Sequence, residues 1–213
     1  GRIKGESGFI DKKAEEFLRM NKSKIKTIFL TGDIFAFPTQ EKWNSLFNLV
    51  GDNTKIFVAP GNHDIGNKNY KYIFYKTMNL RVDFPFEIED SNNLFFIEDS
   101  YSNSWLINEQ TINKINNANE GKNLFLLRHN IPSVELIPIA NSRKGISPKI
   151  PDFIELNKKI KKDLIIISGD GGAFKYLPQF YCRREGKITF IINGLGGFRR
   201  DEILIINKEK IFK

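Results

Sequence analysis

The sequence predicts an α/β domain, and three observations predict it. Four apolar runs of strand length, at 27–30, 56–59, 124–127 and 164–167, each end in a loop built from Gly, Asp, Asn or His. Stretches with apolar residues at helical spacing lie between the runs. The resulting order of strand, loop, helix and strand implies right-handed parallel crossovers. A chain of 213 residues, 40% hydrophobic and 27% charged, can bury a substantial core. No internal repeat or low-complexity linker divides it, so residues 1–213 are expected to form one domain.

Taken in order, Ile10, Ala14, Phe17 and Leu18 predict a first helix over 11–21, with Asp11 as its N-cap. Thr27-Ile28-Phe29-Leu30 follows as a strand that delivers Thr31-Gly32-Asp33. Trp43, Leu46, Phe47 and Val50 predict a second helix, closed by Gly51. Ile56-Phe57-Val58-Ala59 is the next strand and leads into Pro60-Gly61-Asn62-His63-Asp64. Residues 81–87 and 94–98 look like an antiparallel pair around the turn Ser91-Asn92-Asn93. A helix over 104–117 carries Trp105, Ile107, Ile112 and Ile115; Trp105, Glu109 and Gln110 at its start are read as structural. The strand Leu124-Phe125-Leu126-Leu127 then ends in Arg128-His129-Asn130. Residues 131–151, with four prolines and Gly145, predict a long surface loop beside the strand-end site. A short helix over 151–160 precedes Leu164-Ile165-Ile166-Ile167 and Ser168-Gly169-Asp170-Gly171-Gly172. The tail, 176–206, holds three strand-like runs, with Gly194-Leu195-Gly196-Gly197 turning between the last two.

Composition excludes several classes. No apolar stretch approaches the ~20 residues of a membrane span, and no leader pattern of basic and apolar regions is visible. The expected location is cytoplasmic. The single cysteine, Cys182, permits no internal disulfide and no cysteine metal cage. A net charge of +8 suits an anionic substrate. The runs of Lys around 158–162 fit a solvated helix face better than a nucleic-acid surface, because no Arg/aromatic stripe accompanies them. Arg183-Arg184 and Arg199-Arg200 are read as surface charge at hairpin ends.

The four loops carry the chemistry. Open α/β sheets bind ligands beyond the carboxyl ends of their strands, and these loops bring Asp, Asn and both histidines of the chain to that rim. Asp33 can bridge two cations through its two oxygens, Asn62 can offer an amide oxygen, and His129 an imidazole nitrogen. Mixed N/O ligation suits manganese, iron or zinc better than calcium. Two such cations ~3.5–4 Å apart would activate a hydroxide for in-line attack on phosphorus. His63, directly after Asn62, is placed to protonate the leaving oxygen or to stabilise charge there. A Gly-Asp pair alone is often a turn, and a single His at a strand end is more often structural. Gly61-Asn62-His63-Asp64 is much rarer, and the roughly 25–30 residues separating it from Gly32-Asp33 suit one crossover.

Gly32-Asp33, Pro60-Gly61-Asn62-His63-Asp64 and His129 at an apolar strand end resemble the calcineurin-like metallophosphoesterase superfamily. The resemblance runs from the first helix to Ile206. It implies a four-layer αββα sandwich of two mixed β-sheets flanked by helices, with a metal centre between the sheets. It further implies that Asp33 bridges two metals, that Asn62 and His129 bind one of them, and that His63 is the proton donor or charge stabiliser. Asp64 would orient His63 or, as the preferred expectation, cap the following helix. Two features depart from the family pattern. The Asp-x-His expected on a first strand is not present, so the domain is expected to be incomplete at its N-terminus and to lack that strand. Ser168-Gly169-Asp170-Gly171-Gly172 stands where Gly-His-x-His is usual, so Asp170 is the one replacement ligand offered. This form resembles a bacterial branch found alongside polysaccharide and cell-surface sugar genes.

One or two divalent transition metals are therefore expected on Asp33, Asn62, His129 and Asp170. The register of Arg128-His129 stays open. If Arg128 occupies the ligand slot, its guanidinium would bind a phosphate instead. Arg143 and Lys144 in the proline-rich loop are further phosphate-binding candidates. The leading expectation is a phosphoesterase acting on a phosphomonoester or phosphodiester by attack of a metal-bound hydroxide. A non-catalytic binding module of the same fold is the first rival, and a nuclease or nucleic-acid binder the second.

Overall fold

In the structure, a computed structural model, residues 12–78, 83–102, 107–130, 153–170, 180–193 and 203–205 are described. Helix α1 (Lys12–Asn21) leads to β1 (Thr27–Leu30), α2 (Gln40–Val50) and β2 (Lys55–Val58). After the Gly61 loop come the short α3 (Asn62–Ile65) and α4 (Lys68–Met78). The hairpin β3 (Phe86–Glu89) and β4 (Asn93–Ile97) precedes α5 (Glu109–Asn117) and β5 (Asn123–Arg128). The remaining elements are α6 (Phe153–Lys159), β6 (Leu164–Ser168), β7 (Phe180–Glu185) and β8 (Ile188–Asn193).

Two sheets result. Strands β1 and β2 pair in parallel as a two-stranded sheet, and the other six are ordered β3-β4-β5-β6-β8-β7. In the larger sheet β4, β5, β6 and β8 are parallel neighbours, while β3 and β7 close the edges antiparallel. The architecture is thus a mixed α/β sandwich of the expected kind. One detail differs: the smaller sheet is purely parallel among the described residues, where two mixed sheets were expected.

Side-chain parity along the strands sorts the apolar residues into three layers. On the outer face of the small sheet, Ile28, Leu30, Ile56 and Val58 meet Leu18 of α1, Trp43 and Leu46 of α2 and Phe74 of α4. Between the sheets lie Phe29, Ala59, Phe95, Ile97, Phe125, Leu127 and Ile167. On the far face of the large sheet, Phe96, Leu124, Leu126, Ile166 and Phe190 cover Ile112 and Ile115 of α5 and Leu156 of α6. The inter-sheet layer is aromatic: Phe29 stacks on Phe95 at 4.4 Å, Phe95 on Phe125 at 4.8 Å, and Phe29 on Phe57 at 5.7 Å. Offset rings fill a thin gap between two pleated surfaces well, which brings the strand ends of both sheets to a common rim.

Several boundaries move. Helix α5 begins at Glu109, with the Asn108 side chain capping the Gln110 N–H; the expected start at 104 lies outside the described residues. Strand β3 starts after Pro85, which has no N–H for a ladder, rather than at 81. Helices α3 and α4 occupy a stretch to which the apolar spacing gave no span. In the tail, the tight turn is at Gly186 between β7 and β8, with φ 57. The turn expected at 194–197 and the loop expected over 131–151 lie outside the described residues, apart from what precedes them. Arg183 and Arg184 face solvent as expected, paired with Glu185 and Asp163. No helix among the described residues is long and apolar enough to cross a membrane.

Candidate metal centre

Asp33 comes to the rim through an unusual backbone. Gly32 (φ 79) and Asp33 (φ 53) both adopt the left-handed conformation, which a residue with a side chain seldom takes. Backbone bonding over-determines it: the Asp33 N–H donates to Asp64 Oδ2 at 2.7 Å, and the Ile34 N–H to Asp64 Oδ1 at 3.4 Å. Asp64 Oδ2 also accepts the Gly61 N–H at 2.9 Å. Asp64 is the third residue of α3 and reaches back to the residue that caps it, so the expected cap exists, but on its own helix. The same carboxylate ties the first loop to the second. Full burial, reinforced by the charge of Asp33, pushes Asp64 up to about 6.

Two glycines let the loops close on an imidazole. A Cβ at Gly32 would stand 2.6 Å from the Gly61 nitrogen and 2.9 Å from His129 Nδ1. One at Gly61 would stand 2.4 Å from Asp33 Oδ1 and 2.7 Å from His129 Cδ2. Across the gap, Gly169 lies so close to β1 that a Cβ there would meet the Thr31 carbonyl oxygen at 2.2 Å. These contacts make the rim a backbone-to-backbone junction of three loops.

His129 sits at that junction, 1% exposed. Its Nδ1–H donates to the Thr31 carbonyl at 2.8 Å, which places a proton on Nδ1 and turns Nε2 the other way. Nε2 is 3.5 Å from Asp33 Oδ2 and 3.9 Å from Asp170 Oδ1, is buried, and has no hydrogen-bond partner. Burial alone would lower the His129 pKa; the charge of Asp33, and then that of Asp170, overcome this and raise it to about 9. Burial would likewise raise Asp33, but His129 and the His63 N–H hold its carboxyl well below the usual range. Asp170 is placed by the same residue, since the Gly169 and Asp170 N–H groups both donate to the His129 carbonyl at 3.1 Å.

Strand parity resolves the register at 128–129. Leu124 and Leu126 belong to the layer under α5 and α6, whereas Phe125 and Leu127 face the small sheet. Arg128 therefore turns toward the helices and His129 into the inter-sheet rim. This corrects the expectation that Arg128 binds a substrate phosphate. Its side chain is 0% exposed and its Nη1 lies 3.1 Å from Glu98 Oε2, itself 0% exposed. A guanidinium so enclosed offers nothing to a ligand at the rim.

The remaining candidates are placed differently. His63 is half-buried; its backbone N–H donates to Asp33 Oδ1 at 2.8 Å and its Nδ1–H to the Ala36 carbonyl at 2.9 Å. Asn62 is exposed at the first position of α3, and its amide forms no hydrogen bond among the described residues. Arg143 and Lys144 lie outside the described residues. Asp33, His129 and Asp170 thus converge, His63 flanks them, and Asn62 stands beside them with its side chain in solvent. Among the described residues no group of three or more His, Cys, Asp or Glu is drawn tightly enough to form a ready-made metal site. The carbonyls of Thr31 and Ala36, which orient the two histidines, were not foreseen, because a backbone acceptor leaves no mark on residue type.

A family profile described as calcineurin-like phosphoesterase matches residues 7–145, which contain Asp33, the Gly61-Asn62-His63-Asp64 loop and His129. No curated protein matches the chain. With the profile spanning well over half of the sequence, the sandwich fold agreeing with it and the matched loops meeting at one rim, the chain belongs to the calcineurin-like phosphoesterase family.

Proposed function

We propose that this chain hydrolyses a phosphate ester with a divalent transition metal held by Asp33, His129 and Asp170, Asn62 completing the set from the first turn of α3. The observation that carries this reading is His129 Nε2, a buried ring nitrogen without a close hydrogen-bond partner that faces two carboxylates. A buried polar atom left without such a partner costs free energy unless a ligand meets it. Two ligand atoms sharing one cation, each bonded at ~2.0–2.2 Å, stand roughly 3–4 Å apart, and the two separations from Nε2 fall in that range. One imidazole with hard oxygens suits manganese, iron or zinc. When bound, such a cation supplies Lewis-acid charge for the phosphoryl oxygens and lowers the pKa of a water.

The chain's own groups supply the rest. Asp33 carries the negative charge that recruits the cation. His63, its ring fixed by the Nδ1–H bond to the Ala36 carbonyl, would protonate the leaving oxygen from Nε2 when the ring carries its second proton. The substrate is a phosphomonoester or phosphodiester; the setting that the motif at 168–172 suggests is cell-surface polysaccharide metabolism. A second reading, a non-catalytic binder on the same fold, draws on the loose spacing of the ligand set.

The test begins with elemental analysis, expected to find about one to two transition-metal equivalents, and with hydrolysis of bis-p-nitrophenyl phosphate in manganese. Asp33→Asn should abolish turnover. His63→Ala should lower kcat by about 10²–10⁴-fold for alkyl esters and far less for p-nitrophenyl esters, whose leaving oxygen needs no proton. If wild type and both variants are equally inert and metal-free, the binder reading replaces this one. Steep salt-dependent binding of DNA would instead favour the nucleic-acid alternative.

A further inference from the structure

Directly behind the rim, on the face turned away from it, lies a buried polar chain that the reaction does not use. Glu98 follows β4 and Arg128 ends β5, and both side chains are 0% exposed with Nη1 and Oε2 3.1 Å apart. Glu98 Oε1 accepts the Asn108 N–H at 2.9 Å and the Thr111 hydroxyl at 3.1 Å, which anchors the start of α5. Arg128 Nε donates to the Asn130 carbonyl at 3.0 Å. The same carbonyl accepts the Ser168 hydroxyl at 3.0 Å, from the end of β6. Ser100, beyond β4, donates its hydroxyl to Asn130 Oδ1 and accepts the Asn130 N–H, both at 3.0 Å. Three strand ends are therefore joined through Asn130, one residue beyond His129.

A fully buried ion pair is poor value as a stabiliser, because desolvating both charges offsets most of their attraction. Apolar residues would fill the space at least as well, as they do along the rest of this face. The pair does something an apolar contact cannot: the planar fork of Arg128 reaches the Glu98 carboxylate and the Asn130 carbonyl together. That fixes the direction in which the chain leaves β5. The direction matters because the His129 carbonyl receives the Gly169 and Asp170 N–H groups, while its ring must reach Thr31 across the gap.

We infer that Arg128, held by Glu98, is a positioning residue: it sets the 128–130 turn so that His129 Nε2 faces Asp33 and Asp170. The inference rests on the reading of His129 as a ligand. Outer partners of metal ligands commonly change affinity about 10–100-fold when removed.

The two histidines give a test that separates positioning from stability. Glu98→Gln with Arg128→Met removes both charges at once and keeps the acceptor for Asn108 and Thr111. In metal-free protein, ring nitrogen NMR should find a slowly exchanging Nδ1–H on both His63 and His129 of the wild type. In the double variant the His129 signal should be lost and the His63 signal kept, with Tm shifted by only a few degrees. Manganese affinity, measured by titration of manganese alone, should fall about 10–100-fold. Ser168→Ala, a milder cut of the same network, should weaken both in the same direction and serves if the double variant does not fold. Retention of the His129 signal and of wild-type affinity in these variants would overturn the inference, as would loss of both histidine signals together. If wild type itself takes up no manganese, the metal reading fails, and the His129 signal alone still decides whether Arg128 positions the ring.

Discussion

The carboxylate of Asp64, itself fully buried, accepts the backbone N–H of Asp33 at 2.7 Å, joining residues 31 apart in sequence. It is the bond that makes two loops one site. Asp64→Asn leaves a single acceptor oxygen for three N–H donors and turns an amide NH₂ toward one of them. The expected cost is about 1–3 kcal/mol, read by urea denaturation at pH 7, with metal uptake weakened because Asp33 is no longer held left-handed. The pH dependence has a definite sign. Asp64 rises from 3.8 unfolded to about 6 folded, so its protonated form stabilises the native state below the lower value, and that contribution is lost as pH rises through the upper one. Wild-type stability relative to Asp64→Asn should therefore fall between about pH 4 and 6 and level off above. A gap that widens over that interval would contradict the assignment.

Gly61 and Gly32 respond differently to a single added carbon. Gly61 has φ −108, which alanine adopts freely, so Gly61→Ala is a purely steric test. Its Cβ would strike Asp33 Oδ1 and the His129 ring. We expect about 1–3 kcal/mol of destabilisation with a larger loss of manganese binding. Gly32→Ala meets backbone atoms that cannot move and adds the cost of a left-handed alanine, so it should be the more damaging of the two in denaturant titration.

Much of this arrangement was legible in the sequence, and the missing parts have physical reasons. Strands β5 and β6 announce themselves because both faces are buried, which yields unbroken apolar runs. The same property concealed the register of Arg128 and His129: with Leu124 to Leu127 all apolar, no alternation says which parity faces the small sheet. Nothing in the sequence joined Glu98, at the end of one strand run, to Arg128, read there as a phosphate-binding candidate, since pairing at full burial depends on tertiary contact. Asp64 was recognisable as part of a rare tetrapeptide, yet its partners are backbone N–H groups that any residue would supply. Helix α4 escaped because Lys68-Asn69-Tyr70-Lys71-Tyr72 sets tyrosines among lysines and blurs the apolar stripe; only Phe74 in it is fully buried.

The aromatic layer between the sheets should dominate stability. Phe95 stacks on Phe29 and Phe125 at once, so Phe95→Ala opens a cavity touching both sheets. The expected loss is about 3–5 kcal/mol. Tyr72, 63% exposed on α4, is the matched control; Tyr72→Ala should stay within roughly 0.5 kcal/mol. Similar midpoints for the two variants in urea would mean that the sheets do not depend on this stack.

Cation uptake should be coupled to a proton. In the metal-free protein His129 is raised to about 9 from an ordinary 6.5, because Asp33 and Asp170 outweigh the penalty of burial. The charged ring stabilises the fold fully below 6.5, and that contribution disappears as pH climbs through 9. A cation needs the Nε2 lone pair, so it must displace the proton and take over the attraction of both carboxylates. Binding at pH 7 to 8 should therefore release about one proton per cation, and affinity should rise about tenfold per pH unit before flattening near the folded pKa. Calorimetric titration with manganese in two buffers of different ionisation enthalpy measures the release directly. His129→Ala should abolish it, whereas His63→Ala should leave it intact, because the His63 ring is tied to the Ala36 carbonyl rather than to the carboxylate pair. Equal heats in both buffers would mean that the cation does not reach His129, and the ligand assignment would have to be rebuilt around Asp33 and Asp170 alone.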